Sequence, residues 1–401
     1  MKSSCESLFT LLETDGNART GILHTTHGDV RTPAFMPVAT QGSVKSLDSL
    51  DLKSLGAEII LSNAYHLYLR PGVTLIEKLG GLHTFMNWNG PILTDSGGFQ
   101  GFSLNHLRKI KPNAIIFKSH IDGSVHEFGP EASVQYQERL GADIIMPLDI
   151  CASANSDETT VRQAMNQTHQ WATLCHEIHS TKNQSLFGIV QGGLHLSLRE
   201  QSSSFLTSLG FPGYAIGGLS VGESKEEKYK VVKFTTQLLP VKSPRYLMGV
   251  GSPEDLVECV ALGIDMFDCI LPTRIARNGA LYVREGRINI GNASLKNLDA
   301  PIDEKCDCYT CTTYSVAYVH HLFKARELLA YRLATIHNLR FIIRLMEEMQ
   351  KAIKKGEFES YRTEFSKKFT PPREEIQKEQ KRKWIEAQNR RMKANLKSSE
   401  T

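Results

Sequence analysis

The stretch Asp265-Met266-Phe267-Asp268-Cys269-Ile270-Leu271-Pro272-Thr273-Arg274-Ile275-Ala276-Arg277 reads as a short buried strand that ends on a carboxylate and opens into a basic loop. Pro272 lacks a backbone donor and is expected to stop the regular element. Asp268 stands among apolar residues at a strand end, where a carboxylate is costly unless used or paired. Arg274 and Arg277 follow closely, and a carboxylate beside a basic loop suits chemistry on a polyanion. An Asp268–Arg274 ion pair of purely structural purpose is the other reading of the same residues.

Working outward, continuous apolar runs recur at Glu58–Ser62, Pro91–Thr94, Asp143–Leu148, Ser185–Val190, Tyr214–Leu219 and Arg245–Val250. Runs without alternation fit parallel strands buried on both faces. Polar helix-forming segments separate them, among them Glu131–Leu140, Glu158–His179 and Lys225–Leu238. The β-α-β repeat points to a parallel α/β fold. Asp95, Asp149, Gln191, Gly218, Met248 and Asp268 all fall at or just past strand ends. A closed (β/α)8 TIM barrel gathers such ends on one face, whereas an open sheet uses one crevice. The expected organisation is an N-terminal antiparallel cap over 1–45, the main barrel body over 46–278, a hairpin, zinc-binding subdomain and closing helices over 279–370, and a basic charged extension over 371–401. The hairpin, Ala280–Ile290, is expected to turn at Glu285-Gly286.

The 401 residues, 41% hydrophobic and 22% charged, fit a soluble globular protein. No apolar run reaches the ~18–20 residues of a membrane helix. The polar N-terminal residues carry no signal-peptide pattern, so a cytoplasmic location is expected. The formal charge is +4, yet the segment from 351 onward carries 15 Lys+Arg against 8 Asp+Glu. A basic end suits a polyanion such as nucleic acid, and equally a solvated charged helix.

Of the eight cysteines, three cluster as Cys306-x-Cys308-x-x-Cys311. His337 supplies a fourth ligand after a helical stretch, with His320 and His321 as competitors. A closed Cys3His set makes a tetrahedral zinc site with no open position, hence structural rather than catalytic. Such sites contribute roughly 10 kcal/mol or more of apparent binding free energy to folding. In Thr94-Asp95-Ser96-Gly97-Gly98-Phe99-Gln100 the glycines let backbone approach a ligand, and Phe99 offers a π-face. Asp149, Gln191 and the Gly217-Gly218 backbone match the hydrogen-bonding edge of a guanine-type base, with Phe99 and Met248 able to sandwich its ring. Asp95 and Asp268 are then paired carboxylates suited to glycosidic chemistry, one attacking and one moving protons.

Together these motifs, with Leu148-Asp149-Ile150-Cys151, Val190-Gln191-Gly192-Gly193, Ile216 to Glu223 and Tyr246 to Gly251, closely resemble the bacterial tRNA-guanine transglycosylases over about residues 8–370. The resemblance implies exchange of the wobble guanine of tRNAs with GUN anticodons for 7-aminomethyl-7-deazaguanine in queuosine biosynthesis. It implies Asp268 as the nucleophile at ribose C1′, forming a covalent RNA intermediate, and Asp95 as general acid/base. Asp95, Ser96, Gly97, Gly98, Phe99, Asp149, Gln191, Gly218 and Met248 are the implied base-binding residues. Phe99 replaces a Tyr common in the family, which keeps stacking and loses the hydroxyl. The implied anticodon-loop contacts are Gly249, Val250, Gly251, Ser252, Pro253, Glu254, Asp255, Thr273, Arg274, Ile275, Ala276 and Arg277. The target base must be flipped out to reach such a pocket. The exchange needs no ATP. Cys151 and the larger Val221 match bacterial members and favour the precursor over queuine itself. The family is homodimeric, with the zinc region near the interface. A noncatalytic tRNA-binding subunit is the competing class, and retention of both carboxylates argues against it. A barrel metallohydrolase would need ligands such as His-x-His at a strand end, which are absent.

Overall fold

Short parallel strands that are buried on both faces decide the architecture. The computed structural model describes residues 8–98, 108–119 and 121–371; the extension after 371 lies outside them. Eight parallel strands form the ring: Ala34–Met36 with Val38–Ala39, Ile60–Asn63, Ile92–Asp95, Ile144–Ile145, Ser185–Leu186 with Gly188–Val190, Tyr214–Ile216, Arg245–Leu247 and Met266–Asp268. The eighth pairs with the first, Phe267 opposite Phe35 and Asp268 opposite Met36, which closes the barrel. Pro37, with no N–H to donate, divides the first strand: its first part pairs with the eighth strand and its second with the second.

Successive side chains point to opposite faces. Met36, Leu61, Leu93, Ile144, Met146, Ile189, Ala215, Tyr246 and Met266 fill the interior. Phe35, Ile60, Ile92, Ile145, Val190, Ile216, Leu247 and Phe267 face the surrounding helices. The antiparallel cap, Phe9–Asp15, Ala18–Thr25 and Gly28–Thr32, packs Phe9, Leu23 and Val30 into the interior cluster. Arg19 of the cap chelates Asp265 at 2.6 and 2.8 Å, pinning cap to barrel. After the eighth strand come helix Leu271–Arg277, the hairpin Ala280–Val283/Gly286–Asn289, and helices Tyr309–Thr313 and Val316–Ala325. The long helix Leu328–Lys355 then returns to cover the first strand, the cap and helix Leu271–Arg277. The metal-ligand subdomain is thus inserted before the helix that completes the barrel wall.

The (β/α)8 barrel with its antiparallel cap and inserted subdomain is as expected, with local differences. Ala34–Met36, read with the cap, is the first barrel strand. The stretch around Pro272 is not a loop: the strand ends at Asp268, and Pro272 sits in the first turn of helix Leu271–Arg277, where its missing N–H breaks no helical bond. The hairpin turns at Arg284-Glu285, because Val283 pairs with Gly286. A three-stranded antiparallel sheet, Arg108–Lys111, Ala114–Lys118 and Val125–Phe128, is inserted after the third barrel strand. Among the described residues, no helix is long and apolar enough to cross a membrane.

Candidate active site

The pleat that turns Leu61, Leu93, Ile189, Tyr246 and Met266 inward also turns inward the residues two positions later: Asn63, Asp95, Gln191, Met248 and Asp268. These lie at the C-terminal ends of their strands, the face where barrels gather loops.

Asp268 is partly exposed, and among the described residues no cationic side chain pairs with it. Its Oδ1 accepts the Tyr246 hydroxyl at 2.6 Å and the Gly249 N–H at 2.7 Å. Among the described residues, nothing donates to Oδ2. Burial raises the Asp268 pKa above the ordinary aspartate value, and the two donors pull it back. Tyr246 is fully buried and is held protonated well above its ordinary range, by burial first and by Asp268 and Asp95 next. Arg274, the candidate structural partner, is exposed and is not among the hydrogen-bonding groups of Asp268.

Asn63 pairs with Asp95 across neighbouring strands. The Asn63 amide donates to Asp95 Oδ2, and the Ala64 N–H donates to Oδ1 at 3.0 Å. Asp95 is therefore held at the start of helix Ala64–Leu69 on the same mouth as Asp268.

Asp149 follows the fourth strand and is buried. Gln191 Nε2 donates to its Oδ2 at 2.8 Å, and Ser96 Oγ to its Oδ1 at 3.4 Å. Burial pushes its pKa up to about 6 against these two donors. Gly98 must lack a side chain, since a Cβ there would lie 2.6 Å from the Asp149 carbonyl oxygen and 2.7 Å from Oδ1. Gly218, at φ +68°, backs the Gln191 amide, and a Cβ there would lie 2.4 Å from Oε1. Ser96, Gly97, Gly98, Asp149, Gln191 and Gly218 thus come together as one polar cluster, with half-buried Met248 at the neighbouring strand end. Phe99 lies outside the described residues.

The segments read as RNA-contacting divide by exposure. Gly249 and Arg274 are exposed, and Ser252, Glu254 and Arg277 are half-buried. Val250, Gly251, Pro253, Asp255, Thr273, Ile275 and Ala276 are buried. Glu254 binds Lys225 at 2.8 Å, and Asp255 binds Lys228 and the Tyr229 hydroxyl, each at 2.6 Å.

Three residues of the site were not singled out from sequence. Asn63 and Tyr246 were detectable in principle, as polar side chains in register with inward apolar positions. Arg199, fully buried, donates to Val190 and Gly193 carbonyls at 2.9 Å each and so braces the turn carrying Gln191. Burial lowers its pKa to about 10, which leaves it charged. Its interior position in a helix of mixed polarity carried no sequence signal.

Cys306, Cys308 and Cys311 of the inserted subdomain and His337 of helix Leu328–Lys355 are buried, with ligand atoms within 4.8 Å of one another. His337 Nδ1 lies 3.2 Å from Cys311 Sγ and 3.7 Å from the other two sulfurs. A tetrahedral ion at metal–ligand distances of about 2.3 Å (S) and 2.0–2.1 Å (N) gives S–N edges of about 3.6 Å, so the four fit one metal ion. His337 Nε2 donates to the Tyr282 carbonyl at 2.6 Å, which leaves Nδ1 as the ligand atom. His320 instead turns Nδ1 to the Ile290 carbonyl at 2.7 Å. The crowded sulfurs cannot all ionise without a cation: contact with Cys308 first, then Cys311, drives the Cys306 thiol well down, while contact with Cys306 first, then Cys308, drives the Cys311 thiol up.

A family profile described as "TGT: Queuine tRNA-ribosyltransferase" matches residues 14–371. Relatives named queuine tRNA-ribosyltransferase include one from Dehalococcoides mccartyi, 53% identical over 373 residues, covering 93% of this chain and 95% of the relative. Another, from Herpetosiphon aurantiacus, is 54% identical and covers 90% of this chain and 92% of its own. A third, from Thermoanaerobacter sp., is 55% identical over 88% of this chain and 94% of its own.

Proposed function

The chain belongs to the queuine tRNA-ribosyltransferase family, and on that premise we propose that it exchanges the wobble guanine of tRNA for 7-aminomethyl-7-deazaguanine through a covalent Asp268–RNA intermediate. The observation that carries this reading is Asp268 itself: a carboxylate at a strand end, ordered by Tyr246 and Gly249 through one oxygen, with no neutralising cation among the described residues. A carboxylate so ordered suits nucleophilic attack.

In the first half-reaction an Asp268 oxygen bonds to ribose C1′ while the bond from C1′ to guanine N9 breaks, and a proton goes to the leaving base. In the second, N9 of the incoming base bonds to C1′ as it loses its proton, and the Asp268 oxygen departs. One proton leaves and one arrives, and Asp95 serves both transfers. The glycosidic bond energy is conserved in the ester-like intermediate, so no nucleotide hydrolysis is required. The base sits against Asp149, which accepts its two ring-edge donors, with Gln191 and the Gly218 backbone at its carbonyl and Met248 on one face. Gly249, Ser252, Arg274 and Arg277 form the surface offered to the anticodon loop, and the buried members of those segments shape it. The Cys3His set would hold zinc, which would tie the Cys306–Cys311 segment to the long helix and, through His337 Nε2 and the Tyr282 carbonyl, steady the hairpin, taking no step in the exchange. The chain works in the cytoplasm, where its RNA substrate is.

A homodimer is part of the same proposal. Leu298, Tyr309, Tyr318 and Leu328 stand exposed around the metal-ligand subdomain, Leu328 by 79%. Tyr309, Tyr314 and Tyr318 form a ring-contact series there. An apolar, aromatic patch of this kind fits an interface between two copies.

The test is incorporation of labelled guanine into tRNA bearing a wobble guanine, with 7-aminomethyl-7-deazaguanine and queuine as competitors. The proposal expects uptake by the wild type and stronger competition by the precursor. Binding of tRNA without uptake would leave a noncatalytic subunit, and stronger competition by queuine would reverse the choice of base.

A further inference from the structure

The barrel's opposite end carries a second convergence of metal-ligand side chains, distant in sequence from the Cys3His set. His27 stands on the turn between cap strands Ala18–Thr25 and Gly28–Thr32, His83 on the short helix Gly81–Met86, and Asp143 immediately before the fourth barrel strand. We propose that His27, His83 and Asp143 form a second site for a divalent first-row metal ion of the zinc class, one that staples the cap to the N-terminal end of the barrel.

Several observations meet here. The ligand atoms of the three side chains lie within 4.8 Å of one another. His27 Nδ1 is 2.8 Å from Asp143 Oδ1, and His83 Nε2 is 3.2 Å from Oδ2. An ion at about 2.0–2.2 Å from nitrogen and carboxylate ligands has ligand–ligand edges of about 3.0 Å (octahedral) to 3.4 Å (tetrahedral), so the triad is already close to coordinating separation. The Asp143 side chain is 1% exposed, and among the described residues no Lys or Arg pairs with it. Its remaining contacts are backbone donors, the N–H of His27 at 3.1 Å and of Ile92 at 2.9 Å. Those bonds fix the carboxylate's orientation, as a second shell does for a metal ligand. The two imidazoles stack with centroids 3.5 Å apart and planes at 16°, so both present a nitrogen to the same carboxylate from one side.

Two nitrogens and one carboxylate form a borderline donor set that suits zinc, cobalt or nickel rather than calcium or magnesium. Coordination requires each neutral ring to carry its hydrogen on the far nitrogen, Nε2 of His27 and Nδ1 of His83, so that lone pairs face the ion. It also requires one stacked ring to turn, and the His27 side chain, 38% exposed on its turn, has the room. Water completes the shell on that open side. With three protein ligands and an open side, this site is weaker than the Cys3His set and gives up its ion first to a chelator.

The experiment titrates full-length protein, with its Cys3His metal in place, with Zn2+ by calorimetry, and counts bound metal after gel filtration. The expected result is one further equivalent per chain in wild type, lost in His27→Ala and in His83→Ala. The exposed pair His24–Asp29 supplies a control: His24→Ala retains the second equivalent. Far-ultraviolet dichroism of each variant verifies folding, and His27, on an exposed turn, is the substitution least able to disturb it. A wild type that binds no second equivalent would overturn the proposal and leave a metal-free hydrogen-bonded clamp. A second equivalent that survives both substitutions would overturn it as well, by placing the ion elsewhere.

Discussion

Two carboxylates three residues apart, one just before the eighth strand and one at its end, show how position decides use. Asp265, at the N-terminal end, is fully buried and bound by the Arg19 guanidinium, so its charge is spent on holding the cap. Asp268, at the C-terminal end, accepts from a phenol and a backbone amide and, among the described residues, from no cation. Replacing Tyr246 by Phe removes a donor that holds the Asp268 pKa down. The acid limb of the kcat–pH profile is then expected to move to higher pH, and an unmoved limb would separate Tyr246 from the reacting carboxylate. Asp149 sets a second pH dependence. With its pKa near 6, it must ionise to accept both donors of a guanine edge, so affinity for the free base should fall about tenfold per pH unit below about 6. Titrating base binding without RNA isolates this from Asp268. The same shift makes a stability statement. Between about pH 4 and 6 the unfolded chain has released the Asp149 proton while the folded chain keeps it, so this group's contribution to stability falls as pH rises through that window and is level above it. Gly98→Ala should push Asp149 aside and weaken base binding by at least about tenfold, comparable to losing one hydrogen bond to a charged group at about 1.5 kcal/mol. Unchanged affinity would mean that Asp149 does not hold the base. Most of these residues were legible in sequence because each is a polar group closing an apolar run. Asn63 and Tyr246 were not singled out, because each looks like an ordinary strand residue until the register sets it against a carboxylate.

At the scale of elements, the metal-ligand set joins the Cys306–Cys311 segment to helix Leu328–Lys355, and His337 carries the link on to the hairpin. The His337 Nε2 bond to Tyr282 ties helix Leu328–Lys355 to the hairpin, and Asn338 binds the Tyr282 N–H and the carbonyls of Pro272 and Ala280. Stripping the metal, or Cys311→Ser, should therefore lower the melting temperature and loosen the hairpin Ala280–Asn289 first. Hydrogen exchange of that hairpin before and after chelation measures it, and equal protection in both states would contradict a stapling role. Here the spacing Cys-x-Cys-x-x-Cys was informative, while the choice among His320, His321 and His337 needed the fold. Elements short of a strong period were hard to read. The sheet between Arg108 and Phe128 has strands of four or five residues turning at Pro112-Asn113, a turn signal whose flanks alternate too briefly to stand out. Ala34–Met36 looked like the end of a cap hairpin because the chain passes from cap to barrel across a single proline.

For the whole molecule, one end of the barrel collects the carboxylates and amides proposed for base exchange, and the other is covered by the cap. Repeated apolar runs made that architecture readable, since a closed ring is the way to give eight short strands neighbours on both sides. The proposed association surface is not readable in sequence, because exposed Tyr309, Tyr318 and Leu328 lie on three separate helices. Leu328→Arg should shift the protein in light scattering from two chains toward one of 44.9 kDa without loss of the metal. A mass unchanged by the substitution would move the interface elsewhere. The central claim is the covalent role of Asp268, and trapping tests it most directly. Wild type incubated with tRNA, denatured and run on a gel is expected to give a slower RNA-linked band that disappears when 7-aminomethyl-7-deazaguanine is added, and Asp268→Asn is expected to give none. A band of equal strength from Asp268→Asn, or active exchange with no band from wild type, would contradict the account.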